Sequence, residues 1–286
     1  MTRENFIEQL KAEFAPLDPF IPRAVHIAIP AHDRRAHIET MLALHYCVME
    51  LKDVGITCEI SRHFAGGICE SRTNALHAFM TSKLAPESFL FIDTDIKFSW
   101  DAFRRIIFNP YPVALNPYPL KRLDLDRVEA LIKAGERDWR FKALHYPVNR
   151  TKESREGGRD ILQPGGFVEI ESGATGFMRV QREVFGKMRI DNPALQYEVD
   201  DGSVRHALFS FGLEYDEQRA KKIQKSEDLT FCTLARKSGF LIFADIREPI
   251  THMGDMEFEG FFGSHYGNQR DEPDAQIYDP KKGGVK

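Results

Sequence analysis

The sequence predicts an α/β protein with a mostly parallel central sheet, helices on both faces and a smaller, mixed C-terminal half. Three observations lead to this prediction. Short apolar, β-branched runs in the first part of the chain alternate with segments whose apolar residues recur at helical spacing. The resulting order of strand, helix, strand and helix is typical of a parallel sheet covered on both faces. A chain of 286 residues that is 42% hydrophobic and 29% charged is also long and apolar enough for a sizeable core.

The first half of the chain divides into strands and helices at clear turn signals. The apolar run AVHIAIPA stops at Pro30, Gly55 ends a helical segment, and Gly66 and Gly67 form a turn. The predicted strands cover residues 24–31, 56–64, 88–93 and 112–116. The predicted helices cover residues 1–14, 35–53, 70–84 and 100–108. The helix at 35–53 takes its apolar positions from Ile38, Met41, Leu42, His45, Val48 and Met49.

The second half combines ordered segments with polar, irregular ones. A helix follows Asp124 and closes at Gly135, and residues 191–222 are irregular and polar. Periodicity fades over 137–170, where glycine and proline pairs predict hairpins or a loop over the sheet. The remaining predicted elements are a turn, strand and helix over 173–188, a helix capped by Ser226 over 226–240, and strands over 241–246 and 248–258.

Composition excludes several classes of protein. A net charge of −4 and a pI near 6.2 argue against a general nucleic-acid or membrane binder, so basic pairs such as Lys121–Arg122 are predicted to be solvated faces. The acidic N-terminus is no signal peptide, and no apolar run approaches the roughly 20 residues of a membrane-spanning helix. The four cysteines lack C-x-x-C spacing, which argues against zinc and favours reduced thiols in a cytoplasmic protein.

Two aspartates one residue apart, Asp93 and Asp95, end the apolar run FLFID. Ligands bind beyond the carboxyl ends of the strands in open parallel sheets, so a metal ion would explain these like charges. The same spacing occurs a second time in Asp124 and Asp126, so the spacing alone is weak evidence. Because Asp124 precedes a helical pattern, we predict that it caps a helix N-terminus instead. Placement therefore favours Asp93 and Asp95 as the functional pair.

Four segments, in this order, resemble motifs of the family-2-like GT-A glycosyltransferases of bacteria and phages. They are VHIAIPAHDR, SRTNAL leading to FLFIDTDIKF, SGATGFMRVQREVF and, most specifically, SEDLTFCTLARKSGFLIFADIREPITHMG. The resemblance implies a GT-A, Rossmann-like fold and a transfer of a sugar from a nucleotide-diphosphate sugar. It also implies one catalytic domain at 1–266, with a nucleotide-sugar half at 23–116, a variable segment at 117–170, an acceptor-side half at 171–266 and a loosely ordered tail at 267–286.

In such an enzyme Mn²⁺ or Mg²⁺ binds the diphosphate of a UDP- or GDP-type donor and stabilises charge on the leaving oxygen. The resemblance implies Asp95 as the direct metal ligand and His252 as a further one. Asp93 would bind the metal through water, or would contact the ribose or sugar. Arg72 would pair with a phosphate. The implied donor-binding residues are Pro30, Ala31, His32, Arg34, Arg72, Asn74, Asp93 and Gly176.

A second acidic pair, Glu227 and Asp228, begins the helix after Ser226. The resemblance implies an inverting reaction with Asp228 as the base that deprotonates the acceptor hydroxyl and Glu227 as a residue that binds or orients the acceptor. Gly173, Thr175 and Gly176 would let the backbone approach the sugar closely.

Structural alternatives remain open at each of these positions. The acids at 227 and 228 could simply oppose a helix dipole, Asp93 and Asp95 could cap the next helix, Arg72 could pair with a neighbouring acid, and His252 could be structural.

Other function classes are weighed against the transferase. A phosphatase of the haloacid-dehalogenase type expects Thr or Val where Lys97 stands, and a sugar nucleotidyltransferase expects a glycine-rich loop that IPAHDRR lacks. A non-catalytic nucleotide-sugar or glycan-binding module on the same scaffold is the third alternative. The segments 135–170 and 191–222 depart from the family pattern, so the acceptor stays open between a glycan and a modified DNA base. The acidic net charge speaks against DNA.

Overall fold

A computed structural model describes residues 2–31, 34–64, 66–157, 160–216 and 220–266. The α-helices in these ranges are α1 (Arg3–Phe14), α2 (Ile38–Asp53), α3 (Ile68–Thr81), α4 (Trp100–Phe108), α5 (Leu125–Lys133), α6 (Trp139–Lys142), α7 (Lys152–Gly157), α8 (Arg182–Asp191) and α9 (Glu227–Lys237). The strands of the first half are β1 (Ala24–Pro30), β2 (Thr57–His63), β3 (Ser88–Ile92), β4 (Ile96–Lys97) and β5 (Val113–Leu115). Those of the middle are β6 (Val148–Arg150), β7 (Leu162–Gln163), β8 (Phe167–Gly173), β9 (Phe177–Gln181), β10 (Gln196–Glu198) and β11 (Val204–His206). The last are β12 (Gly212–Asp216), β13 (Lys221–Lys225), β14 (Ile242–Asp245), β15 (Ile250–Met253) and β16 (Glu257–Gly260), and short 3₁₀ turns lie at Pro193–Leu195 and Phe262–His265.

A nine-stranded central sheet organises the described residues, in the order β2-β1-β3-β9-β5-β14-β8-β6 with β7 beside β8. The strand β1 pairs in parallel with β2 and β3, and β5 pairs in parallel with β14. The strand β9 runs antiparallel between β3 and β5, and β8 runs antiparallel to β14, β6 and β7. Within this sheet, all strands except β9 and β8 therefore point the same way. The predicted α/β fold with a mostly parallel central sheet is confirmed.

Helices cover both faces of this sheet. Side chains alternate along β3, so that Leu90 and Ile92 join one core cluster while Phe89 and Phe91 join the other. The first cluster includes residues of α1, α2 and α4, and the second includes residues of α3, α8 and α9. Every residue of β1 and β3 is buried, as expected for strands sandwiched between two helical layers.

Helix α2 ends at the predicted residue, Asp53, but it begins at Ile38 rather than at residue 35 and presents a different face to the core. Its buried residues are Thr40, Leu44, Cys47 and Leu51. Ile38 and Leu42, two of the predicted apolar positions, are 69% and 58% exposed. The helical period is correct, but two apolar stripes run along this helix. Tertiary packing, which the periodicity does not contain, selects the one that faces the sheet.

Three segments contain more strand than the sequence indicated. Residues 191–222, predicted to be irregular, hold the antiparallel pair β10–β11, the strand β12 and the start of its partner β13. Residues 137–170 hold α6, β6, α7 and β7, and their end opens β8, which joins the central sheet beside β14. The glycines Gly165 and Gly166 both have positive φ and form the turn between the antiparallel strands β7 and β8, so one of the predicted hairpins is present. The predicted strand at 248–258 is a hairpin of β15 and β16 around Gly254.

Asp245, part of the most specific motif, has a structural role. It is fully buried at the end of β14 and accepts hydrogen bonds from Arg105 of α4 at 2.8 and 2.7 Å. Arg105 also pairs with Glu13 of α1 and donates to the carbonyl of Gly165. This buried ion pair ties α1 and α4 to the sheet on the side of the first core cluster.

Candidate functional site

The two aspartates of FLFIDTD lie at the carboxyl end of β3, and a second strand pairing brings His252 to them. The short strand β4 follows Asp95 directly and pairs antiparallel with β15, which places His252 opposite Ile96. The amide of Met253 donates to the Asp95 carbonyl over 2.7 Å. Asp95 and His252, far apart in sequence, thus become neighbours through backbone pairing alone.

The Asp95 carboxylate sits between two basic side chains. Its Oδ2 lies 3.4 Å from Nε2 of His252 and 2.5 Å from Nζ of Lys121. Burial raises the pKa of Asp95, but the hydrogen bonds from His252 and Lys121 outweigh it and hold the pKa at about 2. His252 Nδ1 donates to the Pro119 carbonyl over 2.8 Å, which leaves Nε2 as the ring nitrogen that faces Asp95.

Arg72 is a buried link between the two acidic pairs. It is 2% exposed, and its Nη2 donates to both oxygens of Asp93 at 3.2 and 3.3 Å. Its Nε reaches Glu227 Oε1 at 3.5 Å, and its guanidinium stacks on the Phe91 ring. Burial lowers the pKa of Arg72, but the surrounding carboxylates of Asp93, Asp228 and Glu227 raise it well above the ordinary value. The remaining nitrogen, Nη1, is buried and has no hydrogen-bond partner among the described residues.

The pKa values of two acids in this cluster are raised. Burial raises the pKa of Asp93, and the charges of Asp228 and Asp95 add to it while Arg72 opposes it. Burial likewise raises the pKa of Glu227, with the charge of Asp228 second and Arg72 opposed. Partly buried carboxylates around one shared guanidinium are an arrangement that shifts the pKa values of acids at functional sites.

The second acidic pair begins α9, as predicted. Ser226 caps the helix and accepts from the Leu229 amide, Glu227 is 7% exposed, and Asp228 receives hydrogen bonds on Oδ1 from the Thr175 amide and hydroxyl. Asp228 also lines a cavity of about 210 Å³. The other lining residues of this cavity are Tyr146, Pro147, Val148, Asn149, Gly173, Ala174, Ser226 and Leu229.

Gly176 is packed where no side chain fits. Its carbonyl accepts the Asp93 amide hydrogen bond at 2.8 Å. A Cβ at this position would lie 2.3 Å from Asp93 Oδ2 and 2.4 Å from the Tyr118 hydroxyl. Both neighbours belong to the cluster around Arg72, so the absence of a side chain at 176 lets β3 and β9 hold Asp93 and Tyr118 together.

Substitution of Gly176 by alanine is expected to lower the free energy of unfolding by about 1–3 kcal/mol, because Asp93 and Tyr118 must move apart. Gly186 is the matched control: it lies inside α8 with no atom within 4 Å of an added Cβ. Gly186→Ala should raise stability by roughly 0.5–1 kcal/mol through helix propensity. Urea unfolding of both variants measures the difference, and equal changes would show that the contact at Gly176 relaxes without cost.

The other predicted donor-binding residues lie at different distances from this cluster. Pro30 ends β1, Ala31 is buried and its amide donates to the His63 carbonyl, and Arg34 is exposed with its guanidinium over the Phe64 ring. Asn74 is half-buried on α3, and residues two apart on a helix do not share a face, so it does not point with Arg72. His32 lies outside the described residues.

The competing Asp-x-Asp behaves as predicted. Asp124 caps α5 and accepts from the Arg127 amide at 3.0 Å, while Asp126 is exposed in the first turn.

Within the described ranges, no three His, Cys, Asp or Glu side chains come together closely enough to hold a metal ion. Asp95 and His252 are therefore a pair rather than a complete protein cage.

Two contributors to the site were missed at the sequence level, and a third, Thr175, was predicted only as part of a turn that lets the backbone approach the sugar. Lys121, predicted to be part of a solvated basic face, forms an ion pair with Asp95. Tyr118 is 7% exposed, and burial followed by the charges of Asp93 and Asp228 raises the pKa of its hydroxyl far above the usual value. Thr175 is fully buried and holds Asp228. The sequence does contain a signal for Tyr118 and Lys121. Both belong to the segment NPYPLK, which follows β5, and β5 ends at the same edge of the sheet as β3.

Comparison with known proteins finds similar folds at low sequence identity. No protein-family model and no curated protein matches the sequence. The crystal structure of A197 from STIV matches with a TM-score of 0.43 and 15% identity over 81% of this chain and 86% of that one. The crystal structure of GalNAc-T7 with UDP, GalNAc and Mn²⁺ matches with a TM-score of 0.41 and 10% identity over 82% of this chain and 44% of that one. Both similarities are too low to assign the chain to a family.

Among the residues described, none of the helices has the length and apolarity needed to cross a membrane.

Proposed function

We propose that this protein is a metal-dependent glycosyltransferase that moves a sugar from a UDP- or GDP-type nucleotide sugar to a hydroxyl acceptor. The observation that carries this proposal is the pairing of Asp95 with His252 at the carboxyl end of β3, 3.4 Å apart. This edge of an open α/β sheet is where such folds bind their ligands. A buried arginine and a second acidic pair stand beside it.

The donor set suits a divalent cation that accepts both oxygen and nitrogen ligands, for which Mn²⁺ is a better match than Mg²⁺. A carboxylate oxygen and an imidazole nitrogen that share one octahedral ion at about 2.1 Å lie roughly 3 Å apart, close to the separation of Asp95 Oδ2 and His252 Nε2. The hydrogen bond from His252 Nδ1 to Pro119 is the outer contact that fixes the tautomer of a metal-binding histidine. Two protein ligands suffice, because these ions keep waters and phosphate oxygens. When bound, the cation would neutralise charge on the diphosphate leaving group.

Lys121 serves this proposal in two ways. Its ammonium pairs with the half-buried Asp95 carboxylate, which it shares with His252, and so offsets part of the negative charge there. With donor and metal present, the flexible side chain would turn toward the diphosphate, where an ammonium is a suitable point charge.

Arg72 and Asp93 would contact the sugar and the ribose of the donor. Arg72 fixes the Asp93 carboxylate through Nη2 and leaves its buried Nη1 without a partner among the described residues, a donor that suits a substrate oxygen. Asp93 keeps acceptor capacity for sugar hydroxyls, and Gly176 allows close backbone approach. In this arrangement Arg72 acts mainly as a positioning residue between Asp93 and Glu227.

Asp228 is the proposed base of an inverting transfer. Both contacts from Thr175 go to Oδ1, so among the described groups Oδ2 is the oxygen that can accept a proton from an acceptor hydroxyl in the adjoining 210 Å³ cavity. Glu227, held by Arg72, would orient the acceptor. The acceptor oxygen then forms a bond to the anomeric carbon as the bond to the diphosphate breaks, and its proton goes to Asp228.

A thermal-shift screen of nucleotides and nucleotide sugars, with and without Mn²⁺, tests this proposal. We expect UDP- or GDP-type ligands to raise the melting temperature only when Mn²⁺ is present, because the diphosphate and Asp95 share the cation. Product analysis with the stabilising sugar nucleotide then separates an enzyme from a binding module, since only an enzyme releases the nucleoside diphosphate. Metal-independent stabilisation, or none with any ligand, would refute the proposal.

A further inference from the structure

A second polar cavity, away from the proposed transferase residues, lies between α3 and the β10–β11 hairpin. We name it the α3–hairpin cavity, and its volume is about 460 Å³, within the range of small-molecule sites. Its lining residues are Thr73, Leu76, His77, Met80, Thr81, Arg189, Ser203, Val204, Arg205 and His206. It shares none of them with the cavity beside Asp228.

Arg205 is the feature of this cavity that calls for a ligand. Its side chain is 13% exposed, and its Nε and Nη1 atoms are buried without a hydrogen-bond partner among the described residues. The nearest paired acid is Asp201, whose carboxylate lies 3.8 Å from Arg205 Nη2. Because the Asp201 side chain is 65% exposed, it offsets little of the Arg205 charge. Buried charged donors without partners are costly, and a bound anion is the group that satisfies them.

The two histidines of the cavity would favour an anion once they are protonated, because the neutral rings present a lone pair at Nε2. Arg189 Nε donates to His206 Nε2 over 3.4 Å, and His77 Nδ1 donates to the Val204 carbonyl over 3.2 Å, which leaves its Nε2 free of that bond. Burial, and then the charge of Arg205, lowers the pKa of His77, while burial and the charge of Arg189 lower that of His206. The lining contains two guanidinium groups and no carboxylate.

We propose that the α3–hairpin cavity binds a small organic phosphate. The phosphate group occupies the positions facing Arg205 and Arg189, with hydroxyls of Thr73 and Ser203 nearby, because a phosphate dianion matches guanidinium donors in geometry and charge. The cavity is larger than a phosphate ion, and Leu76 and Met80 supply an apolar wall for the organic part. This proposal stands independently of the proposed transferase activity.

Calorimetric titration in the presence of a metal chelator tests the site, since the chelator removes metal-dependent binding at Asp95. We expect wild-type protein to bind glycerol 3-phosphate saturably and more tightly than inorganic phosphate. Arg205→Gln should weaken binding about ten-fold or more, whereas Arg137→Gln, the same change at an exposed position, should leave it unchanged. Equal affinity of both variants, or no binding by the wild type, would overturn the proposal. Inorganic phosphate binding as tightly as the ester would overturn its organic part.

A second readout needs no variant and therefore does not depend on the folding of Arg205→Gln. A bound dianion raises the pKa of neighbouring imidazoles, so the ring resonances of His77 and His206 should shift together as glycerol 3-phosphate is added. The His45 resonance, on α2, is the internal reference and should stay in place. If His77 and His206 move no more than His45, the ligand binds elsewhere and the proposal fails.

Discussion

Replacement of Asp95 by alanine is expected to lower metal-dependent hydrolysis of the nucleotide-sugar donor by at least about 100-fold. The reason is that a bound cation stabilises the leaving diphosphate by several kcal/mol, and Asp95 is its proposed carboxylate ligand. Asp95 is one-third exposed, so its removal should cost little folding stability. Hydrolysis is measured as nucleoside diphosphate released at saturating Mn²⁺.

The chain supplies its own control for this variant. Asp126 belongs to the other Asp-x-Asp, is exposed in the first turn of α5, and belongs to none of the proposed donor, metal or base groups. Asp126→Ala should therefore hydrolyse the donor at the wild-type rate. If Asp95→Ala also keeps that rate, the metal assignment is wrong even if the protein proves to be a transferase.

Replacement of Asp228 by asparagine is expected to lower sugar transfer by about 10²–10⁴-fold while donor binding persists. Asparagine keeps an oxygen that can accept from Thr175 but loses the ability to take a proton from the acceptor, which is the contribution of a general base. Transfer is followed with an acceptor found by screening, and donor affinity is followed by thermal shift with Mn²⁺. Loss of donor affinity would move Asp228 to the donor site.

A purely structural role for Asp228, as an acid opposing the dipole of α9, predicts a different pattern. Asp101 holds the equivalent position in the first turn of α4, is 56% exposed and pairs with Arg104. Asp101→Asn should cost no more than about 1 kcal/mol of stability and leave transfer unchanged. If Asp228→Asn shows only a comparable loss of stability with full transfer, the base assignment fails.

The elements that the sequence predicted well are those whose local signals agree with their packing. The strands β1 and β3 are continuous apolar runs and are buried throughout. Helix α9 starts at its Ser226 cap, and Asp124 caps α5, because these side-chain oxygens satisfy free amides whatever the tertiary context. Local chemistry alone decides such positions.

The predictions that failed depend on which surfaces meet. Helix α2 carries two apolar stripes, and only packing reveals that Leu44 and Cys47, rather than Ile38 and Leu42, face the core. The glycine turn predicts the hairpin of β7 and β8, but the place of β8 in the central sheet depends on its pairing with β14, far along the chain.

In the candidate site, too, local signals can be read from the sequence but contacts between distant segments cannot. The residues at strand and helix ends, such as Asp93, Asp95 and Asp228, stand out in the sequence. The contacts that define their chemistry do not. Lys121 reaches Asp95 from an irregular segment, and Arg72 lies inside α3 as a buried bridge between Asp93 and Glu227 rather than at a helix N-terminus. Distances between such residues are set by the pairing of β4 with β15 and by the sheet order, which the sequence does not display.

Asp95 and His252 are proposed to hold a divalent cation that also binds a nucleoside diphosphate. A crystal grown with Mn²⁺ and UDP or GDP, with anomalous diffraction data to locate manganese, tests this claim most directly. We predict one manganese peak at about 2.1–2.3 Å from the Asp95 carboxylate and His252 Nε2, with diphosphate oxygens completing the shell. A nucleotide bound with manganese elsewhere, or with Asp95 still paired to Lys121 and no metal beside it, would contradict the claim.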